Sequence, residues 1–455
     1  MATTALVAPA ARKVPGPRGL PLVGSLLDAW ANPLELMARS AREHGDVVRL
    51  RFAWLDYHLL NAPAAAHRVL VENAKAYHKS PNYQGLKIML GQGLLTSEGE
   101  LWRRQRRLAQ PAFHRDKIAG FTATMAACTN DMLDRWEHDQ PETLDVHAEM
   151  MRLTFRIVGK TLLSADLEAD AKPFGQALDV AIRWANEHVE SIIRIPPSIP
   201  TPKNLRFRRA QRLIEGVVMR VVEERRASGR EEPDLLSMLM ESRDETTGER
   251  MSDKQLKDEL LTLTLAGHET TANALSFTFY LLSRHPDVLR RLRAETTGVL
   301  GGKSPRLEDL PRLPFTKAVA EEALRLYPPA WVFERVALED DEVLGYPIPR
   351  GSIVAVSPWV IHRSTALWPN PEGFDPSRFL EPDPTRHKLA YLPFGAGPRT
   401  CIGNVFALTE LQIILATIVQ RVSLELVPGV PLELDPSITL RPKRGLPMTM
   451  RANVP

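Results

Sequence analysis

Cysteine is nearly absent: Cys128 and Cys401 are the two thiols in 455 residues. That is no disulfide framework, so the fold must rest on a buried core. Long apolar runs are missing as well. Met1 to Ala11 is uncharged but far short of the ~20 apolar residues that span a bilayer. Within it, Ala8-Pro9-Ala10 faintly resembles a signal cleavage site, yet no basic segment precedes it. The next weakly apolar stretch, Gly19 to Leu27, stops at Asp28. No membrane anchor is expected, and the chain reads as soluble and cytoplasmic. Charge of one sign is lacking too: 58 basic and 55 acidic side chains leave +3. Such a balance supplies no field for a polyanion and argues against nucleic acid. No Gly/Ser linker, low-complexity tract or internal repeat divides the chain. Length alone suggests about three domains, but the informative motifs run from Trp102 to Gly403 and must meet at one site. A single domain over 1–455 is expected, with 1–20 an extended, Pro-rich opening.

What is present is mostly helical periodicity. Val14 to Pro21 holds three prolines and cannot be helical. Pro33 to His44 reads as a helix, followed by two strands, Val47 to Phe52 and Tyr57 to Leu60. Helical patterns dominate between about residues 100 and 300. One long helix is announced by Ser252 and Gln255, spaced as a capping box, and runs towards Ser283, with Pro286 opening the next. A second strand region follows at Val343 to Ser357, and a Pro-rich irregular stretch spans Trp368 to Pro393. The expectation is a mainly α protein with a small β region. Cys128, within a helical segment, reads as a core residue.

Cys401 is different. It lies in Phe394-Gly395-Ala396-Gly397-Pro398-Arg399-Thr400-Cys401-Ile402-Gly403, just before the helical pattern from Val405 to Leu411. Glycines allow backbone to approach a flat group closely, and Arg399 offers donors to an anion beside it. A helix N-terminus nearby favours an ionised sulfur. An inert core thiol fits this loop poorly. A nucleophilic cysteine would need a neighbouring base, and none is evident. The loop is no dinucleotide fingerprint either, because Gly395 and Gly397 are not followed by a third glycine three residues on.

The pattern Phe394-x-x-Gly397-x-Arg399-x-Cys401-x-Gly403 resembles the haem-binding signature of the cytochrome P-450 family. The resemblance extends over nearly the whole chain. Ala266-Gly267-x-Glu269-Thr270 is similar to that family's oxygen-activation motif, which implies that Glu269 and Thr270 conduct protons. Gly267 weakens the helix there, and a threonine hydroxyl competing for a carbonyl can bend it. His268 is expected to pack or hydrogen-bond rather than ligate iron. Trp102-x-x-x-Arg106 is similar to the family's helix motif at a haem propionate, its two residues one turn apart. Arg335, after Pro328-Pro329, and Arg399 match further propionate-binding positions. Glu322-x-x-Arg325 and Arg378, in Phe374-Asp375-Pro376-Ser377-Arg378, match a structural salt bridge; Ser377 departs from the common Glu.

The resemblance implies the P-450 fold, with haem b buried between two long helices and Cys401 as axial ligand to its iron. Phe394, Gly403, Ala266 and Gly267 are expected to border the haem. It further implies a monooxygenase that inserts one atom of O2 into a C–H bond, or across C=C, of a hydrophobic substrate. Electrons come ultimately from NAD(P)H through a separate ferredoxin or flavodoxin and its reductase, because the chain ends about fifty residues beyond Cys401 without a redox domain. Arg103, Arg104 and Arg107 form a basic patch that is either a solvated helix face or a dock for that acidic donor. A monomer is expected. The substrate segments are taken as Ser80 to Thr96, Ile182 to Pro202, Leu263 to Thr270, Ala330 to Phe333 and Ile438 to Leu440. Leu94, Leu265, Ala330, Trp331, Val332, Phe333 and Thr439 are the candidate pocket residues, although each could equally be core. Terpenoid, steroid and fatty acid all suit an apolar pocket. A peroxide-using enzyme and a non-enzymatic haem sensor remain as rivals.

Overall fold

The computed structural model describes residues 12–191, 194–243, 248–381 and 383–452. The opening Met1 to Ala11, with its cleavage-like tripeptide, lies outside them, as do two residues of the expected substrate segment 182–202. The described chain forms two compact units, each discontinuous in sequence. The first takes residues up to Pro81, then Trp331–Pro371 and Pro384–Thr400; the second takes Asn82–Ala330, Glu372–Asp383 and Cys401 onward.

The first unit is built on a five-stranded sheet. Helix α1 (Pro33–His44) starts at an Asn32 cap whose side chain accepts from the Glu35 N–H, which satisfies one of the helix's orphan donors. Strands β1 (Val47–Phe52) and β2 (Leu55–Leu60) pair antiparallel, Val47 opposite Leu60. β2 begins two residues before the sequence pattern suggests. The cause is a two-residue turn in which Ala53 takes φ +55°, a conformation normally flagged by Gly or Asn. β3 (Tyr77–Lys79), β4 (Phe333–Ala337) and β5 (Ile353–Val356) complete the sheet in the order β1-β2-β5-β4-β3. Beneath it packs an apolar cluster including Val47, Leu60, Val69, Leu70, Val354, Val356, Leu392 and Ala396.

The second unit is helical. Its helices include α2 (Gly99–Ala109), α3 (Arg115–Asp139), α4 (Val146–Leu162), α5 (Glu168–Glu190), α6 (Pro202–Ser228), α7 (Asp253–Arg284), α8 (Pro286–Leu300), α9 (Pro314–Leu326) and α10 (Asn404–Arg421). α7 is the axis of this unit and packs along α4, α9 and α10. It is buried nearly all round from Leu256 to Leu282, polar residues such as Asp258, Glu259, His268 and Glu269 included. Ser252 caps it through the Gln255 N–H at 3.2 Å. Cys128 is buried on α3. The hairpin of β6 (Leu434–Pro436) and β7 (Leu440–Pro442) lies against α7 and is tied to the end of α9 by Leu440 N–H donating to the Pro329 carbonyl. Among the described residues, no helix is long and apolar enough to cross a membrane.

Candidate functional site

In the first unit, the loop before Cys401 is held by its own backbone. Gly397 has φ +69°, and a Cβ there would lie 1.9 Å from the Leu70 carbonyl oxygen, so only glycine fits. The close backbone approach expected from the glycines is therefore, at this position, to Leu70. Thr400 Oγ1 donates to the Gly397 carbonyl at 2.8 Å, and Arg399 ends the short helical turn between them. Buried His362 accepts the Leu392 N–H at Nε2, which fixes the approach to this loop. Phe394 is half-buried. Arg335 sits on β4 between Lys79 and Val354, and its Nη1 donates to the Glu334 carbonyl at 2.8 Å. Trp331 is buried, and its carbonyl accepts from Ser357 Oγ. Val332 and Phe333 are half-buried.

In the second unit, Cys401 precedes α10, with Gly403 at the N-cap. Its side chain is accessible although protein surrounds it on most sides. Burial pushes the free thiol up; the Gly403 N–H and the nearby Arg106 guanidinium pull it back down. For the free thiol, desolvation outweighs both. Arg106 in turn is lowered by burial and raised by Cys401. It shares α2 with Trp102, both half-buried.

On α7, Ala266 is exposed in the middle of an otherwise buried helix, and Thr270, one turn on, is half-buried. This is the open patch of α7. The helix continues through Gly267 without a break: Thr270 Oγ1 is already donating to the Ala266 carbonyl at 2.6 Å. A Cβ on Gly267 would meet Val158 of α4 at 3.2 Å, so this glycine lets the two helices approach. His268 points into the core against the packed pair Phe155 and Phe174, ring centroids 5.3 and 6.3 Å away. Burial lowers its pKa to about 3, so the ring is neutral and packs.

Glu269 is 1 % exposed. Its Oε1 accepts from Thr439 Oγ1 at 2.6 Å, while Oε2 has no hydrogen-bond partner. Burial raises its pKa, Thr439 and Arg441 oppose, and Asp179 and Asp435 add to the rise. Thr439, expected in the substrate pocket, is therefore bonded to the acid of the motif. Its partner Asn273 was not singled out in the sequence, although its place one turn after Glu269 is the signal that could have found it.

Leu94 and Leu265 are buried, and Ala330 is half-buried. Leu94 is held against α7 by adjacent acids that sequence reasoning passed over: Gln92 N–H donates to Asp258 and Leu94 N–H to Glu259, each at 2.9 Å. An acidic pair inside an apolar helix was the available clue. Glu322, Arg325 and Arg378 come together. Arg325 Nε and Nη2 donate to Glu322 at 2.6 and 2.8 Å, and Arg378 Nε lies 3.3 Å from the same carboxylate.

The donor set fits a haem-thiolate centre: a lone accessible thiol with an N–H and a guanidinium at hand, and an acid–alcohol pair beside an open helix patch. That is the class of a thiolate-ligated haem oxygenase. The cytochrome P-450 family model matches residues 14–447, and the chain belongs to that family. It is similar to a cyclooctat-9-en-7-ol 5-monooxygenase of Streptomyces melanosporofaciens, 38 % identical over 91 % of this chain and 90 % of the relative. Cyclooctatin synthase of the same organism is 39 % identical, over 96 % and 95 %. Pentalenene oxygenase of Streptomyces avermitilis is 33 % identical, over 96 % and 97 %. The chain is accordingly a haem-dependent monooxygenase that hydroxylates hydrophobic small molecules, using O2 and electrons passed from NAD(P)H by redox partners.

Proposed function

We propose that the substrate is a cyclic terpenoid, an alkene or alkenol, hydroxylated at a C–H bond. The relatives' names support this class over steroid and fatty acid. Leu94, Leu265, Ala330, Trp331, Val332, Phe333 and Thr439 are proposed as substrate-contacting residues. Cys401 Sγ is the proposed iron ligand. Arg106, Arg335, Arg399 and Trp102 are assigned to the propionates, and Phe394, Gly403, Ala266 and Gly267 border the ring. Bound haem supplies reductive activation of dioxygen and delivery of one oxygen atom to the substrate, the other leaving as water.

The chain's own residues do the rest. The Gly403 N–H and Arg106 stabilise negative charge on Cys401. Apolar side chains around the substrate exclude water. Thr270 holds a hydroxyl proton at the open patch of α7, and Glu269 is its proton source; the buried, under-bonded carboxyl of Glu269 supports that role. The electron donor is proposed to be a separate ferredoxin or flavodoxin docking on Arg103, Arg104 and Arg107. Arg103 and Arg107 are exposed, as a docking surface and a solvated helix face both require. Residues 1–455 are proposed to form one cytochrome P-450 domain, monomeric and cytoplasmic.

The observation that carries the site assignment is the accessible Cys401 beside Arg106. Its test is the absorption spectrum of the reduced protein under carbon monoxide. A strongly red-shifted Soret band, lost in Cys401→Ser, is expected; a band at the position of histidine-ligated haem overturns the assignment. A panel of cyclic terpenes then tests the substrate class. Displacement of iron-bound water and an oxygenated product are expected, and a response confined to fatty acids or steroids refutes it.

A further inference from the structure

We propose that Thr439, itself held by Asn273, is a positioning residue for Glu269, directing the acid's proton onto the carboxyl oxygen that is free to pass it on. The inference rests on the reading of Glu269 as a proton source.

The argument is one of donor bookkeeping. Asn273 Nδ2 donates to Thr439 Oγ1 at 3.1 Å. That engages one lone pair of the hydroxyl and leaves its single hydrogen for Glu269 Oε1, to which it donates at 2.6 Å. Oε1 is then an acceptor, and a proton on the carboxyl group must reside on Oε2. That oxygen is buried and accepts no hydrogen bond from the described protein groups, so none of them competes for the proton. Asn273, Thr439 and Glu269 are all buried, and a chain of hydrogen bonds running one way at a buried site polarises each member.

The device is rigid at its base. Thr439 immediately precedes β7, where Leu440 N–H is anchored on the Pro329 carbonyl. Arg441 clamps the same strand to Asp435 at 3.0 Å and to Asp179 of α5 at 2.8 Å. Arg441, Asp179 and Asp435 are the charges that act on Glu269. Thr270, by contrast, bonds to Ala266, so in this arrangement the acid and the alcohol are held by separate partners.

Thr439→Val and Thr439→Ser in the haem-loaded enzyme test the proposal, with a surrogate redox partner and a substrate found by the terpene panel. Three quantities are read: substrate dissociation constant, product formed per NAD(P)H, and the infrared carbonyl stretch that disappears in Glu269→Gln. For Thr439→Val, coupling should fall about tenfold. Its carbonyl stretch should move to higher frequency as the bond to Oε1 is lost, and Thr439→Ser should restore both. An altered dissociation constant with unchanged coupling and stretch would mean that Thr439 only lines the pocket, and overturns the proposal. An inert Glu269→Gln instead sinks the underlying proton-source reading, so the two failures are distinguishable. If Thr439→Val does not fold, Asn273→Ala must lower coupling and move the same stretch; no change in either refutes the proposal.

Discussion

Glu322 and Glu269 are both stripped of water, 0 % and 1 % exposed, but their surroundings differ. Glu322 accepts two bonds from Arg325, a third from the Asp375 N–H at 2.9 Å, and lies against Arg378. Arg325 also donates to the Gly373 carbonyl. Every oxygen is satisfied, and the cluster welds α9 to the segment at Pro376–Phe379. Glu269 has one hydroxyl on one oxygen and nothing on the other. A buried carboxylate must be paired or give up its charge; Glu322 is paired, and burial raises the pKa of Glu269. The saturated acid joins two segments of the chain, whereas the under-bonded one is the proposed proton source.

The strongest challenge to this contrast is Glu322→Ala. It removes the carboxylate that both arginines face, and a loss of about 3–5 kcal/mol is expected, read as a collapse of the denaturation midpoint and of haem retention. A variant as stable as the parent would show that the cluster holds nothing together. Glu269→Gln should do the opposite: an unchanged melting temperature and carbon monoxide spectrum, with coupled turnover down about 100-fold. If turnover survives, under-bonding at Glu269 has no functional meaning.

Glu410 and Glu259 extend the comparison. Both are fully buried, and burial pushes each from 4.5 to about 8. Glu410 faces Thr271 and Glu259 accepts the Leu94 N–H, but neither meets a cation in these contacts. Their neutral form is favoured in the fold, so above pH 4.5 the unfolded chain releases protons that the native state keeps. Stability therefore falls as pH rises from about 4.5 to about 8 and then levels off. Thermal melts in a pH series should show that slope, and Glu410→Gln should flatten it; an unaltered slope removes Glu410 as a contributor. The smallest effect is assigned to Arg378→Lys, which keeps the charge but loses the planar fork. About 1 kcal/mol of denaturant stability should go, far less than for Glu322→Ala. Equal losses would mean that geometry, not charge, dominates the cluster.

Much of this was legible before folding. Pro33 to His44 is bounded by a proline and a glycine, and the helix occupies that span. The Ser252 cap and the Pro286 start are local signals, and local hydrogen bonds honour them. Arg325 lies one turn from Glu322, so their pairing follows from helical pitch. The turn at Ala53 was not legible, because no residue there advertises a positive φ. Nor was the fate of Gly267, whose missing Cβ serves contact with Val158, a residue more than a hundred positions away.

The sequence by itself determined the chemistry on offer: one loop thiol, an acid–alcohol pair on a long helix, and arginines spaced to meet carboxylates. These are short-range patterns, encoded by neighbours along the chain. Tertiary structure alone decided which acids are saturated and which are left with a free oxygen. Glu269 and Thr439 are 170 residues apart, and no periodicity connects them. Only packing the β6–β7 hairpin on α7 removes the water and puts one hydroxyl, rather than a cation, on that carboxyl group.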